Sequence, residues 1–196
     1  TLINSRDGAD FSTDFAYGCK FRNLNDPNIY YDDVARDYVS YNYRNTFIKY
    51  AMWLLYDKKD TTRAGAAMKK MNDLISPDMF PMGALTEYQL ARFFDDCHMP
   101  KETADMANRM LSSAKLFMAD RGLMMRDRQM SQQITPGEIA AEASILLGKY
   151  DDAGRYWKEM ASENPVMSAY RLDELEIIKL ERTGDLEGAL RKAEAL

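Results

Sequence analysis

The stretch that decides the fold is IAAEASILLGKYDDAGRYWKEMASENP, residues 139–165. Its apolar residues recur every three or four positions on both sides of Gly148, a pattern typical of two amphipathic helices joined by a short turn. Ala141 and Ala153 are small residues on the two segments, and small side chains at a crossing point let helix backbones approach closely. Pro165 ends the second segment. The stretch therefore predicts one helical hairpin.

The predicted hairpin resembles a tetratricopeptide repeat. In this interpretation Gly148 ends the first helix, Tyr150 fills the turn and Trp157 occupies the large position of the second helix. Weaker copies of the pattern occur elsewhere in the chain, at Gly184, Leu186 and Ala189, at Ala51 with Ala64, and at Ala91 with Ala104. The resemblance implies a tetratricopeptide-like stack of about four hairpins. The alternative is a generic helical bundle in which these alanines occur by chance.

The helical pattern extends over most of the chain. From Asp32 onward alternating β patterns are nearly absent, and proline and glycine divide the sequence into paired segments. The expected pairs are 43–55 with 60–75, 84–96 with 101–120, 138–147 with 151–163, and 168–182 with 185–196. Residues 123–135 are expected to form a loop or a frayed turn. The sequence thus predicts an all-α fold with an extended arm at residues 1–31 and a helical-repeat domain at 32–196.

The predicted arm differs in composition from the rest of the chain. Turn-forming Asn, Ser, Gly and Pro residues alternate there with aromatic residues. A disordered tether would avoid aromatic side chains. We therefore expect the arm to pack onto the first helix pair and to bury Phe21 and at least one of Tyr30 and Tyr31.

Composition argues against several classes of function. The net charge of −5 is spread along 196 residues, and no cluster of Lys and Arg predicts a nucleic-acid or membrane-surface partner. No apolar run reaches the roughly 18 residues that a membrane span needs. Cys19 and Cys97 are far apart in the sequence and leave the redox compartment open. Because the chain starts at Thr1 and its last helix lacks a stop signal, we expect a fragment or a processed chain.

A second resemblance covers residues 20–60. Lys20 to Asp32, followed by Tyr41 to Asn45, is similar to the C-terminal region of a bacterial family of multi-pass membrane proteins. That family is of unknown function or glycosyltransferase-like, related to protein O-mannosyltransferases, and has a tetratricopeptide-like tail outside the cytoplasmic membrane. The resemblance implies a periplasmic location beside a bacterial inner membrane, with membrane attachment only through upstream segments. It also implies that the catalytic transmembrane part is absent, so no catalytic residue is carried over.

Motifs for catalysis are missing from the sequence. His98 is the only histidine, and Cys97 precedes it directly, although adjacent side chains on a helix diverge by about 100°. No zinc-ligand spacing, glycine-rich phosphate loop or nucleophile elbow occurs. Acid pairs such as Asp32-Asp33 and Asp151-Asp152 suit helix caps or solvated helix ends better than a glycosidase site. We therefore expect no catalysis, no metal and no cofactor in this chain.

Tyrosines are concentrated near the predicted arm and the first helix pair. Tyr30, Tyr31, Tyr38 and Tyr41 form a candidate aromatic cluster, because flat rings suit the C–H faces of sugars. The simpler interpretation is packing between the arm and the helices, with the hydroxyls at the surface.

Repeat stacks bind partners on the face formed by the first helix of each pair. Treating Ala51, Ala91 and Ala141 as equivalent predicts six residues on this face: Asn45, Lys49, Tyr88, Arg92, Glu138 and Glu142. The first four suit a peptide carboxylate or a polar loop. The expected function is a protein-interaction or scaffolding domain with a protein or peptide partner. The alternative is an accessory carbohydrate- or acceptor-binding domain of a glycosyltransferase-like enzyme.

Overall fold

The computed structural model describes Leu24 and residues 26–120 and 134–196. Phe21, Cys19, most of the predicted arm and most of the loop expected at 123–135 lie outside the described residues. Every regular element within the described residues is a helix. None of these helices combines the length and the apolar character that a membrane span requires. The prediction of an all-α fold built from helical hairpins is confirmed.

Apart from the first, for which no boundaries were predicted, the described helices begin and end close to the predicted boundaries. They are α1 Asp33–Tyr38, α2 Arg44–Tyr56, α3 Thr61–Leu74, α4 Ala84–Asp96, α5 Pro100–Ala119, α6 Pro136–Leu146, α7 Tyr150–Glu159, α8 Pro165–Thr183 and α9 Leu186–Glu194. A π-helical turn, Val39–Tyr43, joins α1 to α2, and a 3₁₀ turn, Met160–Ser162, follows α7.

Side-chain caps fix several helix starts. Asp32, Asn164 and Asp185 each accept a hydrogen bond from a backbone N–H in the first turn of α1, α8 and α9, respectively. Thr135 and Glu138 form a reciprocal capping box at the start of α6. Each cap satisfies a backbone donor that the helix itself leaves without a partner. Local sequence therefore determines where these helices begin.

The described residues belong to two compact units. The first unit extends up to Met82 and includes Phe93–Glu102, and the second contains Gly83–Arg92 and Thr103–Leu196. Helices α4 and α5 each contribute one part to each unit. The predicted helical-repeat domain at 32–196 therefore spans both units.

In the first unit, α2 and α3 pack together as a hairpin. Ala51 and Ala64, the small residues predicted for this pair, are completely buried. Arg44 at the start of α2 is buried as well, and its Nη2 donates hydrogen bonds to the backbone carbonyls of Ile75, at 3.1 Å, and Phe80. The Arg44 guanidinium thereby ties α2 to the segment that follows α3.

In the second unit, α6 packs against α7, α8 packs against α9, and α7 also contacts α8. Gly148 and Gly184 turn the chain within the two hairpins at φ values of +70° and +87°, a backbone conformation that favours glycine. Ala141 and Ala153 have no exposed surface, and Trp157 is 2% exposed. The hairpin predicted from this stretch of sequence is confirmed.

One of the predicted pairs of small residues is only partly buried. Ala91 on α4 is completely buried, but Ala104 on α5 is half-buried. The nearest buried residues along α5 are Thr103 before it and Met106 and Ala107 after it. The spacing of alanines alone therefore does not locate the centre of the buried face of α5.

Candidate functional site

Helices α4, α6 and α8, each the first helix of its pair in the sequence, contribute to a polar cluster in the second unit. The Tyr88 hydroxyl on α4 donates a hydrogen bond to Glu142 Oε2 on α6 at 3.3 Å. The other carboxylate oxygen, Oε1, lies 4.0 Å from Arg171 Nη1 on α8. Glu142 is buried and so links three helices through one carboxylate. The first-helix cluster is defined as Tyr88, Arg92, Glu142, Arg171 and Glu174.

Arg171 is held by two other contacts. Its Nη1 forms an ion pair with Glu174 Oε2 at 2.7 Å. Its guanidinium lies over the ring of Trp157, with Cζ 5.4 Å from the ring centroid, an arrangement in which the aromatic face attracts the cation. Because the contact with Glu174 is much shorter than the contact with Glu142, Glu174 is the main counter-ion of Arg171.

Arg92 is the exposed arginine of the cluster. Its Nη1 donates to the Tyr88 hydroxyl at 3.4 Å. Within residues 26–120 and 134–196, no carboxylate forms an ion pair with Arg92. An exposed guanidinium of this kind can donate hydrogen bonds to a carboxylate or carbonyl group of a partner.

Burial dominates the electrostatics of Glu142. Burial raises the pKa of the Glu142 carboxyl, and the positive charges of Arg171 and Arg92 do not cancel that rise. The pKa of the Tyr88 phenol is also raised, first by burial and then by the nearby charge of Glu142. The ionised form of Glu142 is therefore less stable in the folded chain than in water, which lowers the free energy of unfolding.

Replacing Glu142 with Gln is expected to stabilise the second unit at neutral pH. The substitution removes a buried charge and keeps an acceptor for the Tyr88 hydroxyl. Because folded Glu142 holds its proton more tightly than the unfolded chain does, the parent loses stability as the pH rises from the unfolded pKa through the raised folded pKa. The gain in the free energy of unfolding from Glu142→Gln should therefore grow as the pH rises through that window and shrink below it.

Urea unfolding at a series of pH values measures this effect, with Trp157 fluorescence as the reporter in a Trp53→Phe background. Glu176→Gln is the matched control, since Glu176 is an exposed acid on α8 that pairs with Lys179 at 2.9 Å. The control should keep the pH profile of the parent. If Glu142→Gln destabilises the unit at neutral pH and leaves that profile unchanged, Glu142 acts chiefly as an anchor for Arg171.

The residues predicted for a binding face fall in different places. The first-helix cluster brings together three of the six: Tyr88, Arg92 and Glu142. Glu138 lies one turn before Glu142 on α6, but its Oε2 accepts a hydrogen bond from the backbone N–H of Thr135 at 2.6 Å. Its carboxylate therefore caps the helix. Asn45, half-buried, and Lys49, exposed, lie on α2 in the first unit.

Sequence reasoning missed Arg171 and Glu174. Gly148 and Gly184, the turn glycines of the last two hairpins, are 36 residues apart. The same offset relates Glu138 to Glu174 and Ala141 to Ile177. The prediction aligned first helices by their alanines, and the equivalent position on α8 holds isoleucine. Adding 36 residues to the position of Glu138 gives Glu174, and Arg171 lies one helical turn before Glu174.

The four tyrosines of the candidate aromatic cluster lie in the first unit. Tyr30 is 84% exposed, Tyr38 60% and Tyr41 73%. Tyr31 is half-buried, and its ring centroid lies 5.1 Å from that of Phe80. Tyr31 thus packs on Phe80, and Tyr38 lies edge-on to Tyr43 with ring centroids 6.1 Å apart. The rings of Tyr30, Tyr38 and Tyr41 are nevertheless mostly exposed and accessible to a ligand.

The structure places Cys97 and His98 in the connection between α4 and α5. His98 is exposed with φ +57°, whereas Cys97 is buried. Burial raises the pKa of the Cys97 thiol to about 11, so the reactive thiolate is scarce at neutral pH. Among the side chains that the structure describes, no group of three His, Cys, Asp or Glu residues is arranged to hold a metal ion. The absence of catalysis stays a prediction.

Comparison of the chain with protein-family models, curated proteins and solved structures gives no match in any of the three. The resemblance of residues 20–60 to a membrane-protein family stays a prediction. Two residues of that segment, Arg44 and Phe47, are buried in the first unit. Packing is therefore a sufficient reason for these two residues to be present.

Proposed function

We propose that this chain is a non-catalytic protein-interaction domain that holds a peptide or polar loop of a partner against the first-helix cluster. The supporting observation is the buried carboxylate of Glu142, whose oxygens face Tyr88 and Arg171 from two other helices. First helices line the binding face in helical-repeat proteins. A buried ionisable group with a shifted pKa is also a common mark of a functional site.

A purely structural role explains the cluster less well. Replacing a buried ion pair with apolar residues of similar volume often leaves stability unchanged or increases it. The chain instead has an acidic residue, Glu142, at a position where burial disfavours the charged form. Local departures from the most stable choice are expected at functional positions.

The chemistry of the cluster indicates what a partner segment must offer. Arg92 supplies an exposed guanidinium, and Tyr88 beside it supplies a half-buried ring and hydroxyl. These groups suit a segment with a carboxylate or a backbone carbonyl, held beside an apolar or aromatic side chain. The partner is therefore a polar peptide or loop, in line with the net charge of −5, which does not favour nucleic acid.

Peptides selected by phage display against the full chain provide the probe for this function. They are expected to bind Arg92→Glu at least about tenfold more weakly than the parent, because the new charge repels a carboxylate or carbonyl. Arg155→Glu is the matched control, since Arg155 is exposed on α7, pairs with Asp152 and lies outside the cluster. Equal binding to Arg92→Glu and the parent would overturn the proposed face.

The resemblance of residues 20–60 supports a wider setting for this domain. In that setting the domain belongs to a membrane-bound glycosyltransferase-like protein and positions a partner on the periplasmic side of a bacterial inner membrane. Catalysis then resides in the transmembrane part of the parent protein. Transmembrane segments encoded upstream of Thr1 would support this setting, and their absence from the gene would contradict it.

The exposed tyrosines of the first unit favour carbohydrate binding as a second candidate function. Tyr30, Tyr38 and Tyr41 present accessible rings of the kind that stack on sugars. A glycan array separates the two functions, because peptide selection tests the second unit and glycan binding tests the first. Glycan binding that is lost on replacing the three tyrosines with alanine would favour this second function.

A further inference from the structure

The first-helix cluster contains two acids and two bases whose pairing is uneven. The acids are Glu142 and Glu174, and the bases are Arg92 and Arg171. Arg171 Nη1 lies 2.7 Å from Glu174 Oε2 but 4.0 Å from Glu142 Oε1. Arg92 is connected to Glu142 through the Tyr88 hydroxyl. The charges of Glu142 and Arg92 therefore face each other across an intervening hydroxyl.

The Tyr88 hydroxyl can reverse the direction of its hydrogen bond to Glu142. In the structure it donates to Glu142 Oε2 at 3.3 Å and accepts from Arg92 Nη1 at 3.4 Å. A hydroxyl both donates and accepts, and a protonated carboxyl group carries a donor O–H of its own. When Glu142 is protonated, its O–H can donate to the Tyr88 oxygen. The Tyr88 hydrogen is then available to an acceptor that lies beside Arg92.

We propose that the first-helix cluster binds a carboxylate group of the partner segment together with one proton, which Glu142 takes up. This inference rests on the proposed function and adds the chemical class of the ligand and its coupling to pH. The ligand carboxylate accepts hydrogen bonds from the Arg92 guanidinium and the Tyr88 hydroxyl, while the Glu142 O–H donates to the Tyr88 oxygen. The proton passes from a solvent hydronium ion or a buffer acid to a Glu142 carboxylate oxygen, and no other covalent bond changes.

Charge balance favours a carboxylate over a neutral carbonyl group at this site. With Glu142 ionised, the charges of the two acids and the two arginines cancel, and a ligand carboxylate would add an uncompensated negative charge near Glu142. With Glu142 protonated, the exposed Arg92 guanidinium has a charge that a ligand carboxylate neutralises. A neutral carbonyl group brings no charge, so its binding should depend less on the protonation of Glu142.

The groups around Glu142 permit this proton uptake. The ionisable groups that act on its carboxyl lie on α4 and α8, and they are Tyr88, Arg92, Arg171 and Glu174. From α7, which packs against α6, the uncharged ring of Trp157 faces Arg171. Two other carboxylates have contacts of their own. Glu138 caps the start of α6, and Glu87 on α4 forms an ion pair with Arg109 on α5 at 3.5 Å.

The direction of the pH dependence follows from the burial of Glu142. Burial raises the pKa of its carboxyl in the free domain, so the group takes up a proton at a higher pH than an exposed acid does. A ligand carboxylate adds a negative charge nearby and raises that pKa further. The ligand therefore binds more tightly as the pH falls from the pKa of Glu142 in the bound state through its pKa in the free state.

Isothermal titration calorimetry of the full chain at a series of pH values tests the inference. The probes are peptides selected by phage display against the full chain, with acetylated N-termini and without histidine. The chain carries His98→Asn, which removes its one histidine and places asparagine, a residue that tolerates positive φ, at φ +57°. The peptides are expected to bind at least about fivefold more tightly at about pH 5.5 than at about pH 8, a range in which their carboxylates stay ionised. Two buffers with different ionisation enthalpies should show that binding takes up a proton.

Glu142→Gln mimics the protonated acid, because the amide is neutral and can donate to the Tyr88 oxygen. This variant should bind the peptides equally well across the pH series, with the affinity that the parent reaches at low pH. Glu176→Gln is the matched control and should keep the profile of the parent, since Glu176 is an exposed acid that pairs with Lys179. Peptides with amides in place of their acidic side chains, and peptides with an amidated C-terminus, show which carboxylate is bound. The analogue that lacks the bound carboxylate should lose the pH dependence.

The outcomes separate this inference from the proposed function. Peptides that require Arg92 but bind with the same affinity at every pH would contradict the proton uptake and leave the proposed function standing. A pH profile that persists in Glu142→Gln would assign the proton to another group and would also contradict the inference. If both neutral analogues bind as the unmodified peptides do, the bound group is not a carboxylate. Equal binding to Arg92→Glu and the parent would overturn the proposed function and this inference with it.

Discussion

Replacing Trp157 with alanine is expected to destabilise the second unit by about 3–5 kcal/mol, the usual cost of removing a large buried aromatic side chain. Trp157 lies on α7 with almost no exposed surface, and its ring supports the Arg171 guanidinium on α8. The substitution therefore leaves a cavity and removes a contact between consecutive hairpins. Urea unfolding followed by far-UV circular dichroism measures the loss, with Trp53 fluorescence as a reference for the first unit.

Trp157→Phe separates packing from hydrogen bonding at this position. Within the described residues the indole Nε1 of Trp157 is buried without a hydrogen-bond partner. Trp157→Phe therefore reduces the side-chain volume without removing a hydrogen bond. It should lower the free energy of unfolding clearly less than Trp157→Ala does. If Trp157→Ala costs less than about 1 kcal/mol, in the range of surface substitutions, the assignment of Trp157 to the centre of this core is wrong.

The helix boundaries could be predicted because the signals that set them are local. Gly148 and Gly184 occupy turn conformations that favour glycine, and Asn164 and Asp185 cap the helices that follow them. The division into two units could not be predicted in this way. Helix α4 continues without a break from Ala84 to Asp96, although its two parts belong to different units. That division depends on which side chains pack together, and periodicity along one helix does not contain this information.

The candidate site shows a similar limit. Glu138 and Glu142 are one turn apart on α6, so periodicity assigns them to the same face of the helix. In the structure one carboxylate caps the helix start and the other is buried between Tyr88 and Arg171. Periodicity gives the direction of a side chain, but its burial depends on neighbouring helices. Sequence reasoning therefore found three members of the cluster but did not predict that Glu142 would be its centre.

Replacing Arg44 with leucine is expected to destabilise the first unit by roughly 2–5 kcal/mol. Arg44 is 3% exposed, and its Nη2 donates to the backbone carbonyls of Ile75 and Phe80. Leucine fills part of the volume but leaves two buried acceptors without this donor, and each such group costs on the order of 1–3 kcal/mol. Trp53 fluorescence in a Trp157→Phe background reports unfolding of the first unit. Amide exchange in residues 76–83 should also become faster, because the side chain ties that segment to α2.

Two further variants decide whether the hydrogen bonds or the volume of Arg44 matter. Arg44→Lys keeps a charged donor at the end of a long side chain, so it should recover part of the stability that leucine loses. Arg63→Leu is the matched control, since Arg63 is an exposed arginine on α3 whose ion pair with Asp60, at 3.8 Å, contributes little. Equal losses for Arg44→Leu and Arg44→Lys, with unchanged exchange in residues 76–83, would show that side-chain volume is the main contribution. If Arg44→Lys loses less stability than Arg44→Leu, the two buried carbonyls depend on the hydrogen bonds that the side chain at position 44 donates. That is the role that the structure supports.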